Sequence, residues 1–385
     1  MDVLTVSLTL LILVLLLLLA RQLNPKRSRF VKMVNQMPGP PSYPIVGSCW
    51  ELLTLPLHRY LQVHERRNKQ YSSLYRSWIG EHAEVILNDP DYVEVILNNT
   101  ETLKKSPFYK YLHPWLGEGL LTLSGINCPG GEDQFICDLV VERCIRPWLH
   151  NDFIFKQTQL GKRFTRCTKI LHEFTDKVIR ERNILPRGEL DKTEQSQNDY
   201  QFSEEMCDGI MFGEKAFEEI DRIFEGSDRA PKWRDLQEMK YLERVIKETL
   251  RLYPPAPAMG RELEKDIQIG KYTVPAGVSV WIQIYFLHRN PKYFPNPEEF
   301  NPDNFLPEKV RDRHPYAYIP WSAGPRNCLG QKYALLEAKA LLSNVIRNFK
   351  IISLRKTKDV TPVMGITLSQ LNGVYIKVSL RDKKK

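Results

Sequence analysis

Residues 318–331 read YIPWSAGPRNCLGQ and place Cys328 between Gly324 and Gly330, two residues after Arg326. Just beyond them Ala334, Leu335, Ala338, Leu341, Leu342 and Val345 fall on one stripe at helical spacing, so the thiol stands where a loop feeds the N-terminus of a buried helix. Free backbone N–H groups and the positive end of the helix dipole favour a thiolate there. A thiolate serves as a nucleophile or as a metal ligand. A nucleophile needs a base, and the one histidine nearby in sequence is His314, a base from elsewhere in the fold being the other option.

A ligand needs room instead. Gly324 and Gly330 flank the cysteine where a large flat group could approach the backbone, and Arg326 is a donor for an anionic group. Iron porphyrin, flat and carrying two propionates, meets both requirements. A buried structural cysteine in a glycine-containing turn accounts for the local chemistry equally well.

The rest of the chain narrows the setting. Its 385 residues can bury a large core, and 26% of them are charged, which argues for a folded body rather than disorder. Seven cysteines, odd in number and with no Cys-x-x-Cys pair, exclude a zinc knuckle and fit a reduced environment. The net charge of +9 has no dense basic block except residues 381–385, which favours an acidic protein partner or an anionic membrane over nucleic acid.

Residues 3–20 are apolar apart from Thr5, Ser7 and Thr9, about one bilayer span of helix. The segment lacks the basic start of a cleaved signal and carries Leu18 where a small residue is wanted, so residues 1–21 read as a membrane anchor. Arg21, Lys26, Arg27, Arg29 and Lys32 then hold the body on the cytosolic side. Residues 22–47 read as a basic and proline-rich linker whose prolines make a stiff elbow.

From 57 to 224 the pattern is mostly helical, with one strand expected at 83–87 and a turn at 88–90. Met239, Leu242, Ile246 and Leu250 mark a helix stopped by Pro254 and Pro255. A hairpin is expected over 267–269 and 272–274, a strand over 278–284, an irregular five-proline loop over 289–307 and a strand near 374–378. There is no internal repeat. One mainly α domain with a smaller β portion follows. Glu248 and Arg251 share a helix face three residues apart, by itself a common surface pairing.

Glu248-x-x-Arg251, the segment 302–305 (PDNF) and the segment 321–330 (WSAGPRNCLG), in that order, resemble the three C-terminal signatures of the cytochrome P450 haem-thiolate monooxygenases. The anchor and elbow are similar to those of microsomal members. The wording of 241–253 and 314–320 is most similar to family 4, the fatty-acid hydroxylase branch. The resemblance implies a cytochrome P450-like fold with an N-terminal transmembrane helix and a haem domain over 48–385. It implies haem b as cofactor with Cys328 as the iron ligand, Arg326 and Arg261 on the propionates, and Gly324 and Gly330 giving the loop close passage. Glu248 and Arg251 would then lock the loop as a buried ion pair. It also implies an apolar lipid substrate touched by 106–112, 254–259 and 363–366, a place at the endoplasmic reticulum membrane, and electrons from NADPH-cytochrome P450 reductase, with cytochrome b5 as an additional partner.

This chain departs from the pattern. Trp321 stands where the family usually has phenylalanine, a bulkier ring, and Asn304 where it often has arginine, so the buried network is expected to lose a charge. No Thr-Thr pair occurs, and the text passes from a lead-in at 203–212 to a different helix at 213–220, as though the oxygen-activating central helix were cut out. No acid–threonine pair is available as catalytic residues. A second gap falls near 125–137, where the Trp-x-x-x-Arg helix is absent. The fold is thus expected to be incomplete. Two alternatives to a lipid monooxygenase stand beside it: an inactive shortened splice or gene-model product, and a haem-thiolate hydroperoxide isomerase or dehydratase.

Overall fold

The computed structural model describes residues 25–112, 114, 132–184, 213–354 and 360–381. In chain order the elements that position the site are helix α1 (Pro25–Asn35), α2 (Tyr60–Tyr71), strands β1 (Leu74–Ile79) and β2 (His82–Leu87), and α3 (Pro90–Leu97). Then come α4 (Glu132–Ile145), α5 (Gln159–Ile184), α6 (Gly213–Phe224), α7 (Trp233–Glu238) and α8 (Lys240–Leu252). Strands β3 (Met259–Glu262), β4 (Ile267–Ile269), β5 (Tyr272–Val274) and β6 (Ser279–Ile282) precede α9 (Gln331–Asn348). The chain closes with β7 (Phe349–Ser353), β8 (Pro362–Met364), β9 (Leu368–Gln370) and β10 (Ile376–Leu380). The mainly helical character with a smaller β portion agrees with the expectation from sequence.

The four-stranded sheet runs β1-β2-β6-β3. β1 and β2 form a hairpin, β6 lies parallel to β2, and β3 lies antiparallel to β6. Sequence reading found β2 and β6 but missed β1 and β3. The reason is burial on both faces: five of the six β1 residues are buried, so no alternation of apolar and polar marks the strand. One core joins Val85, Leu87, Val280 and Ile282 to Val34 and Met37 from the N-terminal stretch and to Val93 and Ile96 of α3. A second gathers Cys49, Phe108, Tyr111, Ile136, Leu139, Phe155 and Phe164. The third packs α6, α8 and α9 through Ile220, Phe224, Leu242, Ile246, Leu342 and Ile346.

Two local expectations change. The turn at 88–90 is a helix start: the Asp89 side chain accepts from the Asp91 amide at 3.0 Å and Pro90 occupies the first turn of α3. The stripe through Met239 is divided into α7 and α8 because the Glu219 carboxylate of α6 accepts the Tyr241 and Leu242 amides at 2.7 and 2.9 Å, capping α8 from outside.

The stretch read as a linker is packed on the body from residue 25 onward. α1 leads into buried Val34 and Met37, the Arg76 amide donates to the Pro38 carbonyl at 2.7 Å, and Gly47 bridges to Ile79. The expected anchor, residues 1–21, lies outside the described residues, as does most of the gap near 125–137. Among the described residues no helix is long and apolar enough to cross a membrane.

Candidate functional site

The segment 318–330 reaches α9 through a loop held from three sides. The Ile319 amide donates to His288 Nε2 at 2.9 Å, and the Tyr318 hydroxyl donates to the Lys247 carbonyl at 2.9 Å. Ser322 and Gly324 both adopt positive φ, +63° and +74°. The Cys328 amide donates to the Trp321 carbonyl at 2.9 Å, which closes the loop just before the helix. Cys328 is exposed, whereas Cys49 and Cys167 are buried and Cys144 is half-buried. Burial pushes the Cys49 thiol up to about 12, with the Glu84 charge adding to it, which makes that thiol inert at neutral pH. The reading of Cys328 as a buried structural cysteine therefore fails. Cys128 and Cys207 lie outside the described residues.

The two flanking glycines have different reasons. A Cβ at Gly324 would stand 2.0 Å from the Leu97 carbonyl oxygen at the end of α3, so protein packing alone demands glycine there. At Gly330 an added Cβ would meet only Cys328 Sγ, at 3.8 Å, an ordinary contact. Gly324→Ala is expected to destabilise the protein by about 3 kcal/mol through left-handed strain and the forced shift of α3. Chemical denaturation measures this, and a loss under about 1 kcal/mol would show that the close approach is not kept in solution.

Beside this loop lies an unbalanced group of cations. Arg261 is buried, on β3, and its backbone bridges to Lys105. Burial lowers the Arg261 guanidinium from its usual range and the Arg326 charge lowers it further; Lys105 is lowered by burial and then by Arg326 and Arg261. None of the three pairs with a carboxylate among the described residues, since neighbouring Glu262 is held by Lys104 at 2.6 Å. A buried arginine beside two like charges calls for an anion. Sequence reading named Arg261 and Arg326 and missed Lys105, because the pairing that brings it to Arg261 spans more than 150 residues.

Glu248 and Arg251 are both fully buried. Arg251 Nε and Nη2 donate to the two Glu248 oxygens at 2.8 Å each, Nη1 to the carbonyls of His288 and Pro297 at 3.2 and 2.6 Å, and Nη2 also to that of Glu299 at 2.9 Å. Glu248 in turn accepts the Asn301 amide and the Asn304 side chain at 2.7 and 3.1 Å. The pair thus ties α8 to the irregular loop at 289–307. Asn304 itself brings no charge to the network, but another cation lies within reach of it. The Arg313 guanidinium, stacked 4.3 Å over Phe294 and bonded to the Asn304 carbonyl, stands close enough to Glu248 for their charges to interact. This cation comes from outside the motif, and no local signal announces it.

Trp321 is half-buried and packs against the third core. Of the apolar stretches expected to meet substrate, 106–112 is joined to β3 by the Ser106 amide, which donates to the Gly260 carbonyl at 3.3 Å, and 254–259 accepts, at the Pro255 carbonyl, the amide of Leu368 just beyond 363–366 at 3.0 Å. Ile366 and Trp281 both pack on the second core.

An exposed thiol at a helix start, a fully buried carboxylate–guanidinium pair and a group of three interacting cations make up the candidate site. A family model described as Cytochrome P450 matches residues 37–127 and 212–376. Cytochrome P450 4c21 of Blattella germanica is 31% identical over 450 aligned positions, covering 85% of this chain and 90% of the relative. Cytochrome P450 4c3 of Drosophila melanogaster is 31% identical, covering 93% and 92%, and cytochrome P450 4V2 of Homo sapiens is 30% identical, covering 89% of each. The chain belongs to the cytochrome P450 family of haem-thiolate monooxygenases. It is a shortened member, since the alignment with the Drosophila relative runs over 495 positions and this chain has 385 residues. The family implies haem as cofactor and a reductase as electron source. The residues present fit haem: Cys328 is open to an iron atom, and Arg261, Arg326 and Lys105 supply the positive charge that two propionates need.

Proposed function

We propose that Cys328 ligates the iron of haem b, that Arg261, Arg326 and Lys105 hold its propionates, and that the chain stands functionally with monooxygenases that hydroxylate fatty acids or related lipids. Electrons would come from NADPH-cytochrome P450 reductase, with cytochrome b5 as a further donor, at the endoplasmic reticulum membrane. The observation that carries the reading is the exposed Cys328, two residues after Arg326, whose charge acts on a buried Arg261 that has no carboxylate partner among the described residues. Haem supplies the oxygen-activating metal centre, and a thiolate ligand pushes electron density that favours O–O cleavage. The protein's part on this side is to hold the sulfur in place, balance the propionates and gather apolar side chains at 106–112, 254–259 and 363–366.

A second reading has an observation of its own: the family match breaks between 127 and 212, and the sequence contains no acid followed by Thr-Thr to relay protons. On this reading the chain is a shortened product that does not turn over. The ferrous carbon monoxide spectrum together with NADPH-driven lipid oxidation separates the two. A thiolate-type red-shifted Soret band with hydroxylated product supports the monooxygenase, and the band without product supports the inactive product. Hydroperoxide conversion without NADPH would instead indicate an isomerase or dehydratase. Loss of the band in Cys328→Ala is required by the first two, and a band that survives it ends the proposal. Arg261→Leu and Lys105→Gln are each expected to weaken haem retention about tenfold, the worth of one charge-assisted hydrogen bond, read by haem content after gel filtration.

A further inference from the structure

His288 is fully buried at the end of the short helix that follows β6, and it touches both the ion-pair lock and the cysteine loop. Its carbonyl accepts Arg251 Nη1 at 3.2 Å, while its ring Nε2 accepts the Ile319 amide at 2.9 Å. The Tyr318 ring lies 5.0 Å from the imidazole and is fixed on its other side by Phe305 at 4.6 Å. From Ile319 the connection continues, because its carbonyl accepts the Ser322 amide at 3.0 Å and the Trp321 carbonyl accepts the Cys328 amide at 2.9 Å.

We propose that His288 is a positioning residue that fixes the loop carrying Cys328 to the Glu248–Arg251 pair, its unprotonated Nε2 acting as the acceptor that holds the Ile319 amide. The proposal rests on the reading of Cys328 as the iron ligand for its functional meaning. The loop needs such a clamp. Ser322 holds a left-handed conformation that a residue with a Cβ adopts at a cost, and Gly324 is pressed on Leu97, so the segment keeps its shape only where its surroundings over-determine it. The imidazole suits the task because it must stay neutral to keep a lone pair on Nε2. Burial and the charges of Arg251 and Arg289 lower it to about 3, with the backbone of Arg251 and Leu250 opposing the shift, so the acceptor persists across the working pH range.

The test compares three substitutions in the haem-free full chain. Glutamine carries an oxygen at the Nε2 position and can accept from Ile319, whereas asparagine and leucine cannot. His288→Gln should keep the slow hydrogen exchange of the Ile319 amide and the wild-type rate of Cys328 alkylation by iodoacetamide. His288→Asn and His288→Leu should speed both at least tenfold while the Ile346 amide on α9 stays protected. Equal behaviour of the glutamine and asparagine proteins would overturn the proposal. So would loss of Ile346 protection in all three, since His288 would then be a general core residue. Should Cys328→Ala retain a thiolate-type spectrum, the iron-ligand reading falls while the Ile319 result still stands or falls by itself.

Discussion

Alanine in place of Arg251 is expected to cost about 3–5 kcal/mol of folding stability, the usual penalty for leaving one member of a buried ion pair alone. Removing the guanidinium leaves the fully buried Glu248 with the Asn301 amide and Asn304 side chain as its remaining donors among the described residues, and leaves the carbonyls of His288, Pro297 and Glu299 without their Arg251 donor. Lysine should not rescue the loss, because five donors in a planar fork reach five acceptors here and an ammonium has three. Replacing both Glu248 and Arg251 by leucine should be milder than the single change, since neither member of the pair is then left buried without the other. Urea denaturation of the four proteins is the measurement. A single-alanine loss below about 1 kcal/mol would mean that water reaches the pair.

Glu84→Gln is expected to act in the opposite direction and to depend on pH. Glu84 lies on β2 inside the sheet, and burial raises its carboxyl from the ordinary 4.5 to about 7, with the Trp281 indole and the Arg67 guanidinium pulling the other way. Between those two pH values the folded protein binds more protons than the unfolded chain, so stability is fullest below pH 4.5 and is lost as pH rises through 7. Glutamine removes that loss. At pH 8 it should stabilise by up to about 3 kcal/mol, the free energy equivalent of the shift, and the gain should vanish below pH 4.5. Melting temperatures of the two proteins across that range test it. A difference that does not change with pH would show that Glu84 ionises freely in the fold.

Much of the site was legible because its parts are local. The spacing of apolar residues after Cys328 marks α9, and Glu248 and Arg251 are neighbours on any helix that contains both. The hairpin of β4 and β5 was found from a three-residue strand, a glycine turn and another strand. What escaped the reading depends on strands that meet only in the folded chain. β1 shows no alternation because five of its six residues are buried, and Lys105 comes to lie beside Arg261 through an isolated backbone bridge to β3.

The sequence by itself determined where the loop carrying Cys328 begins, which helix it feeds, which charges share a face of α8 and, through its motifs, the family. It determined these because each is set by residues within a few turns of one another. The tertiary structure alone decided that Gly324 is required by Leu97, that the Arg313 charge reaches Glu248, that Lys105 joins the cation group and that His288 bonds both to Arg251 and to the Ile319 amide. Periodicity states which side of an element is buried, but it is silent on which other element will cover that side. Contacts across the sheet and between distant loops therefore exist only once the cores have closed.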